Sequence, residues 1–272
     1  MGVELAVELR RLEKEGRTGM LRAGDGAFHL AEGAIVSADC RRTTGLDRLV
    51  IEAGVASAED WQRAGAGDPG SVLRRPRLEA LALLSVFDAA YFMLASSAVP
   101  EFRPAPPHWL APVCHIPPRA LVHECRRRGD PESGPWPAEL VDRTPVIPAR
   151  RVRRQRVTLT GGQVEVLAAA DARRSVARIA RDLGRTTYGC LVAVRDLTAA
   201  GLIEPPAATP VPVMTAQPAM TGPVAIVPSV TQTASLPRRR VRQAAALPVP
   251  DRWEPVDRDV LVRLRAALEE LA

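Results

Sequence analysis

Leu5, Leu9 and Leu12 fall at i, i+4 and i+7 among charged neighbours, which predicts an amphipathic surface helix over residues 3–15, stopped by Gly16. The period then shortens. The runs TGMLRA, AFHLA and AIVSAD are separated by Gly24-Asp25-Gly26 and by Glu32-Gly33, and tight turns of this kind use glycine's tolerance of positive φ. Three hairpin-linked strands are therefore expected. A helix at about 46–53 ends at Gly54, and Ser57 with Asp60 has the spacing that caps the start of the next one. Residues 77–87 read as a buried helix and AYFML, which follows, as a strand. Pro100, Pro104, Pro106 and Pro107 interrupt the pattern. A helix at about 118–128 then closes on Arg126-Arg127-Arg128, a charge that suits a helix C-terminus.

Beyond residue 156 three short helices are predicted in quick succession. Thr160 caps the first, with Val164 and Leu167 inward. Ser175 caps the second, which carries Val176, Ile179 and Leu183 and ends at Gly184. Thr186 or Thr187 caps the third, which buries Leu191, Val194 and Leu197 and ends at Gly201, before an extended Leu202-Ile203. This is the order of a helix-turn-helix. Residues 205–250 contain ten prolines, and no charge occurs from Pro205 to Pro237, so extended or disordered chain is expected there. Leu261, Leu264, Leu268 and Leu271 form one stripe of a final helix at about 257–271, too short to zip as an independent coiled coil.

Charge changes this picture in one place. The net charge is +6, but it is concentrated. RRVRRQR, Arg150–Arg156, carries +5, and RRRVR, Arg238–Arg242, lies in the proline-rich tract. The three-helix stretch itself is near neutral, with six arginines against five acids. Lys14 is the only lysine; a preference for arginine follows either from GC-rich coding or from bidentate phosphate contacts. Cys40, Cys114, Cys125 and Cys190 show no CxxC spacing, and the chain starts without a signal-peptide pattern, so a reducing cytoplasm is expected. The most apolar run, LEALALLSVFDAAYFMLA, is interrupted by Glu79 and Asp88 and reads as core; no membrane association is expected.

GRTGMLRAGDGAFHLAEGAIVSAD, followed by LEALALLSVFDAAYFML, resembles the PATAN-type domain of bacterial signalling proteins over about residues 1–128. The resemblance implies a non-catalytic domain that receives a signal from a protein partner. VARIARDLGRTTYGCLVAVRDLTAAGLI resembles the winged-helix modules of bacterial transcriptional regulators over about 157–204, with AGLI marking the end of the recognition helix and the start of the wing. Pro205-Pro206 lacks the donors a hairpin wing needs.

The chain is accordingly read as α+β: a domain of N-terminal helix, β-meander and helices (1–128), a linker with a basic arm (129–156), a small winged-helix-like three-helix domain (157–204), a disordered linker rich in Pro, Ala and Thr (205–250) and a terminal amphipathic helix (251–272). The function expected from this reading is a DNA-binding regulator. Arg185, Thr186, Thr187, Tyr188 and Arg195 would face the duplex, and Arg150, Arg151, Arg153, Arg154 and Arg156 would contact phosphates. The alternative is a signalling adaptor that binds proteins with both domains, for example in a bacterial small-GTPase system. Gly65, Gly67 and Gly70 match GxGxxG by letter, but follow a helical segment and enclose Pro69, so a loop is expected. Cys114-His115 and His123-Glu124-Cys125 match no common zinc spacing, and His29 reads as a structural histidine on a strand. Neither a metal, a cofactor nor a catalytic centre is expected.

Overall fold

The computed structural model describes residues 3–150 and 157–206. Helix α1 (Val3–Lys14) buries Leu5, Leu9 and Leu12 almost completely. Strands β1 (Gly19–Ala23), β2 (Gly26–Ala31) and β3 (Ala34–Cys40) form the expected antiparallel meander. Glu32 and Gly33 both have positive φ, as a two-residue hairpin turn requires. Thr18 Oγ1 holds that turn by accepting from the Glu32 amide at 2.9 Å. A fourth strand, β4 (Glu101–Pro104), pairs with β1, giving the order β3-β2-β1-β4.

Short helices α2 (Leu46–Glu52), α3 (Ala58–Gly65) and α4 (Gly70–Leu73) follow the meander. Ser57 and Asp60 make the expected capping box at α3. Gly65, Gly67 and Gly70 lie at the end of α3, in the loop and at the start of α4, with no strand leading into them. Next comes α5 (Leu78–Met93), which corrects the sequence reading. AYFML is its last turn and not a strand; the final strand is β4 instead. Apolar residues occur on all sides of α5, and a short apolar run does not distinguish a strand from a buried helix by period alone. It packs on β3, α2 and α6 (Pro118–Arg127), and also on the bundle described next.

The last described elements are a three-helix bundle: α7 (Gly161–Ala169), α8 (Val176–Asp182) and α9 (Thr187–Ala199). Thr160, Ser175 and Thr186 cap the three helices, and Gly184 and Gly201 take positive φ where α8 and α9 end. The architecture is thus a helix, a four-stranded antiparallel sheet, several helices and a three-helix bundle.

Residues 129–149 are no free linker, a second correction. Trp136 is fully buried, as are Ala138, Val141 and Val146. The segment is held along the bundle on two sides. On one, the Val146 amide donates to the Arg174 carbonyl at 2.9 Å and the Ala177 amide to the Val141 carbonyl at 3.0 Å. On the other, the Ala149 amide donates to Leu202 and the Glu204 amide to Ile147, each at 2.9 Å. Residues 147–149 therefore pair with 202–204, with an isolated antiparallel bridge between Pro148 and Ile203. Proline content and four acids disguised a segment whose burial depends on isolated side chains with no helical or strand period. Residues 151–156 and 207–272, which include most of the basic arm, the proline-rich tract and the terminal leucine stripe, lie outside the described residues.

Candidate functional site

The N-terminal end of α9 is the part a helix-turn-helix would present to a ligand, and here it is built into a contact with α5. Asp88 is fully buried. Its Oδ2 accepts from the Thr187 amide at 2.8 Å and its Oδ1 from the Tyr188 amide at 2.7 Å. Those amides belong to the first turn of α9, where backbone donors have no partner within the helix and the dipole favours negative charge. A carboxylate from the N-terminal half of the chain thus completes the cap that Thr186 begins. Thr186 Oγ1 itself accepts from the Gly189 amide at 3.3 Å.

Side chains extend the contact. Tyr188 meets Tyr91 edge to face at 4.7 Å, and the Arg128 guanidinium lies 4.7 Å from the Tyr188 ring and 5.3 Å from that of Phe87. Arg195 is half-buried. Its Nη2 donates to the carbonyls of Trp136 at 2.8 Å and Pro131 at 2.9 Å, and its Nη1 to Tyr91 Oη at 3.4 Å. The Trp136 indole donates to Thr198 Oγ1 at 3.0 Å. Lower down, Thr44 Oγ1 donates to the Arg185 carbonyl at 2.7 Å and Arg48 Nε to the Arg181 carbonyl at 3.3 Å.

The ten residues expected to touch DNA separate into three groups. Thr187 is buried, and Tyr188 and Arg195 are largely covered, facing α5 and the 131–136 segment. Arg185 and Arg150 are exposed, and Arg185 pairs with Glu165 at 2.7 Å, while Thr186 is partly exposed and acts as a cap. Arg151, Arg153, Arg154 and Arg156 lie outside the described residues. Sequence reasoning noticed Asp88 only as an interruption of an apolar run. A lone carboxylate inside such a run has to find donors when buried, and that was the available signal.

Burial pushes the Asp88 carboxyl up to about 6, against the lowering influence of the Tyr188 and Thr187 amides and of Arg128. Folding therefore favours its protonated form. The associated stability is complete below the ordinary value of about 3.8 and is lost as pH rises through about 6. Carboxylates outside the core such as Asp60 and Asp171, held low by hydrogen bonds, have the opposite effect. The contribution is isolated by difference: between pH 4 and pH 7 the wild-type chain should lose about 2 kcal/mol relative to Asp88→Asn in denaturant titrations.

Other candidates give less. His29 Nε2 lies 3.2 Å from Asp39 Oδ2, and the His29 ring lies 4.9 Å from that of His108. All four cysteines are buried and free, and among the described residues no group of three or more His, Cys, Asp or Glu could hold a metal. Among them, too, no helix is long and apolar enough to cross a membrane. The chain matches no family model, no curated protein and no solved structure.

Proposed function

We propose that the chain is a non-catalytic adaptor that binds proteins, the second of the two functions expected from the sequence. The observation that carries this reading is the cover over α9. An acidic side chain and an aromatic cluster occupy the face that would enter a DNA groove, and Arg195, the charged residue on that face, is engaged with backbone carbonyls. Base readout requires free polar side chains on that helix. Thr187, Tyr188 and Arg195 here serve the contact between bundle and sheet domain. The helix-turn-helix order is then a packing solution, one half of a unit whose other surfaces meet partners.

Duplex binding through the arginine arm is the competing reading, favoured by the exposure of Arg150 at the root of the arm. The two separate in a mobility-shift titration of the full chain on random duplex across a salt series. The adaptor reading expects no retention at physiological salt. Binding that weakens with a log–log salt slope of about −4 to −5, and is lost in Arg153→Ala/Arg154→Ala, would instead establish the arm as a phosphate grip.

A further inference from the structure

Between α4 and α5 the chain runs Arg74-Arg75-Pro76-Arg77, three arginines in four positions. All three are exposed and line a cleft of about 370 Å³. Leu73 and Val113, both half-buried, form apolar walls, and Pro76 and Pro112 stiffen the backbone around it. Among the described residues, none of these arginines has a carboxylate within ion-pair reach. Arg11, Arg42, Arg48 and Arg63, by contrast, each hold one. Glu79 also lines the cleft; it lies in the first turn of α5, where an acid suits the helix end. Three arginines against this one glutamate leave the lining at +2. The Leu78 amide donates to the Arg75 carbonyl at 3.3 Å, closing a turn with Pro76 second and Arg77 third. Arg77 has φ +71° and ψ −7°, values of the third position of a type II turn, which glycine takes without strain. An arginine there carries backbone strain that a glycine would not, and such strain gathers at ligand clamps.

We propose that this cleft receives a phosphorylated side chain of a partner protein. The proposal rests on the adaptor reading and names the chemistry of what the adaptor binds. A phosphomonoester carries a charge of about −1.5 to −2 at neutral pH and three strong acceptor oxygens, which matches a lining of +2 that has only donors to offer from its arginines. Guanidinium groups meet phosphate oxygens in pairs, which a single ammonium does not. The layout favours one compact anion over a polyanion. The three arginines gather at a single turn beside a concave cleft, whereas a duplex asks for cations strung along its backbone. Leu73 and Val113 add apolar surface for the carbon stem or the neighbour of the modified residue.

The test offers the full chain two immobilised peptide pools with randomised flanks, one centred on phosphoserine and the other on serine, at physiological salt. Capture by the phosphoserine pool should exceed capture by the serine pool at least tenfold. Arg74→Ala/Arg77→Gly should remove the excess. Glycine suits the left-handed position, so this variant should unfold at a temperature no lower than the wild type, and lost capture is then not lost fold. Arg10→Ala/Arg22→Ala, which removes two exposed charges elsewhere, should keep the excess; an equal loss there reduces capture to net charge and overturns the proposal. Inorganic phosphate at the concentration of the displayed phosphoserine should displace little of the chain. Full displacement assigns the cleft to the free ion and overturns the protein partner. Equal capture by the two pools, or capture by neither, also overturns the proposal, and with a negative duplex titration the adaptor reading stands without this cleft. Duplex retention that Arg74→Ala/Arg77→Gly abolishes overturns both readings in favour of a nucleic-acid phosphate.

Discussion

Asp88→Ala is expected to lower the unfolding free energy by about 2–4 kcal/mol at pH 7 and to release the Thr187 and Tyr188 amides to rapid hydrogen exchange. The carboxylate accepts from both amides at 2.7–2.8 Å inside the core, and a buried donor that loses its partner costs about 1–3 kcal/mol. Two full penalties are not expected, because the raised pKa shows the carboxylate itself to be unfavourable to bury, and its removal gives part of that back. Asp88→Asn keeps the shape and one acceptor oxygen but turns an NH₂ toward the other donor. Its loss should be smaller than that of alanine. Equilibrium denaturant unfolding ranks the three chains. Equal stability for all of them would show that Asp88 does not fasten α9.

Trp136→Ala should be at least as damaging, at about 3–5 kcal/mol, and for a different reason. The indole is the largest fully buried side chain among the described residues, and its removal leaves a cavity that close-packed neighbours fill only in part. It also strips Thr198 of a donor, although Thr198 Oγ1 keeps its own bond to the Val194 carbonyl at 2.7 Å. The Trp136 carbonyl is one of the two that receive Arg195, so disorder at 136 should loosen the guanidinium as well. Trp136→Phe separates these effects: it restores most of the volume but not the indole donor, and should recover more than half of the loss. Thermal unfolding followed by circular dichroism measures each step. A cost below about 1 kcal/mol for Trp136→Ala would show that the 129–149 segment is only loosely attached.

The elements that could be read from the sequence were those with a period or a punctuation mark. Leu5, Leu9 and Leu12 announced α1; Ser57, Thr160 and Ser175 announced helix starts; Gly184 and Gly201 announced helix ends. Where local pattern was silent, the reading failed. AYFML carries strand-forming residues yet completes a helix, because tertiary burial on all sides overrides the weak local preference. Trp136, Val141 and Val146 follow no period, so nothing local announced their burial. The site was hidden for a related reason. Asp88 and Tyr188 stand a hundred positions apart, and only the packing of α5 against α9 brings them together. Spacing places Thr187, Tyr188 and Arg195 on a duplex-facing side of the third helix; in the fold they turn toward α5 and the 131–136 segment, partners that spacing does not name.

Because α5 touches the sheet with one side and the bundle with another, the boundary between the halves exists along the chain and not in space. An excised bundle would arrive with its leading amides stripped of their acceptor and Tyr188 stripped of Tyr91. Whatever such a fragment bound would report on a surface the intact molecule keeps closed.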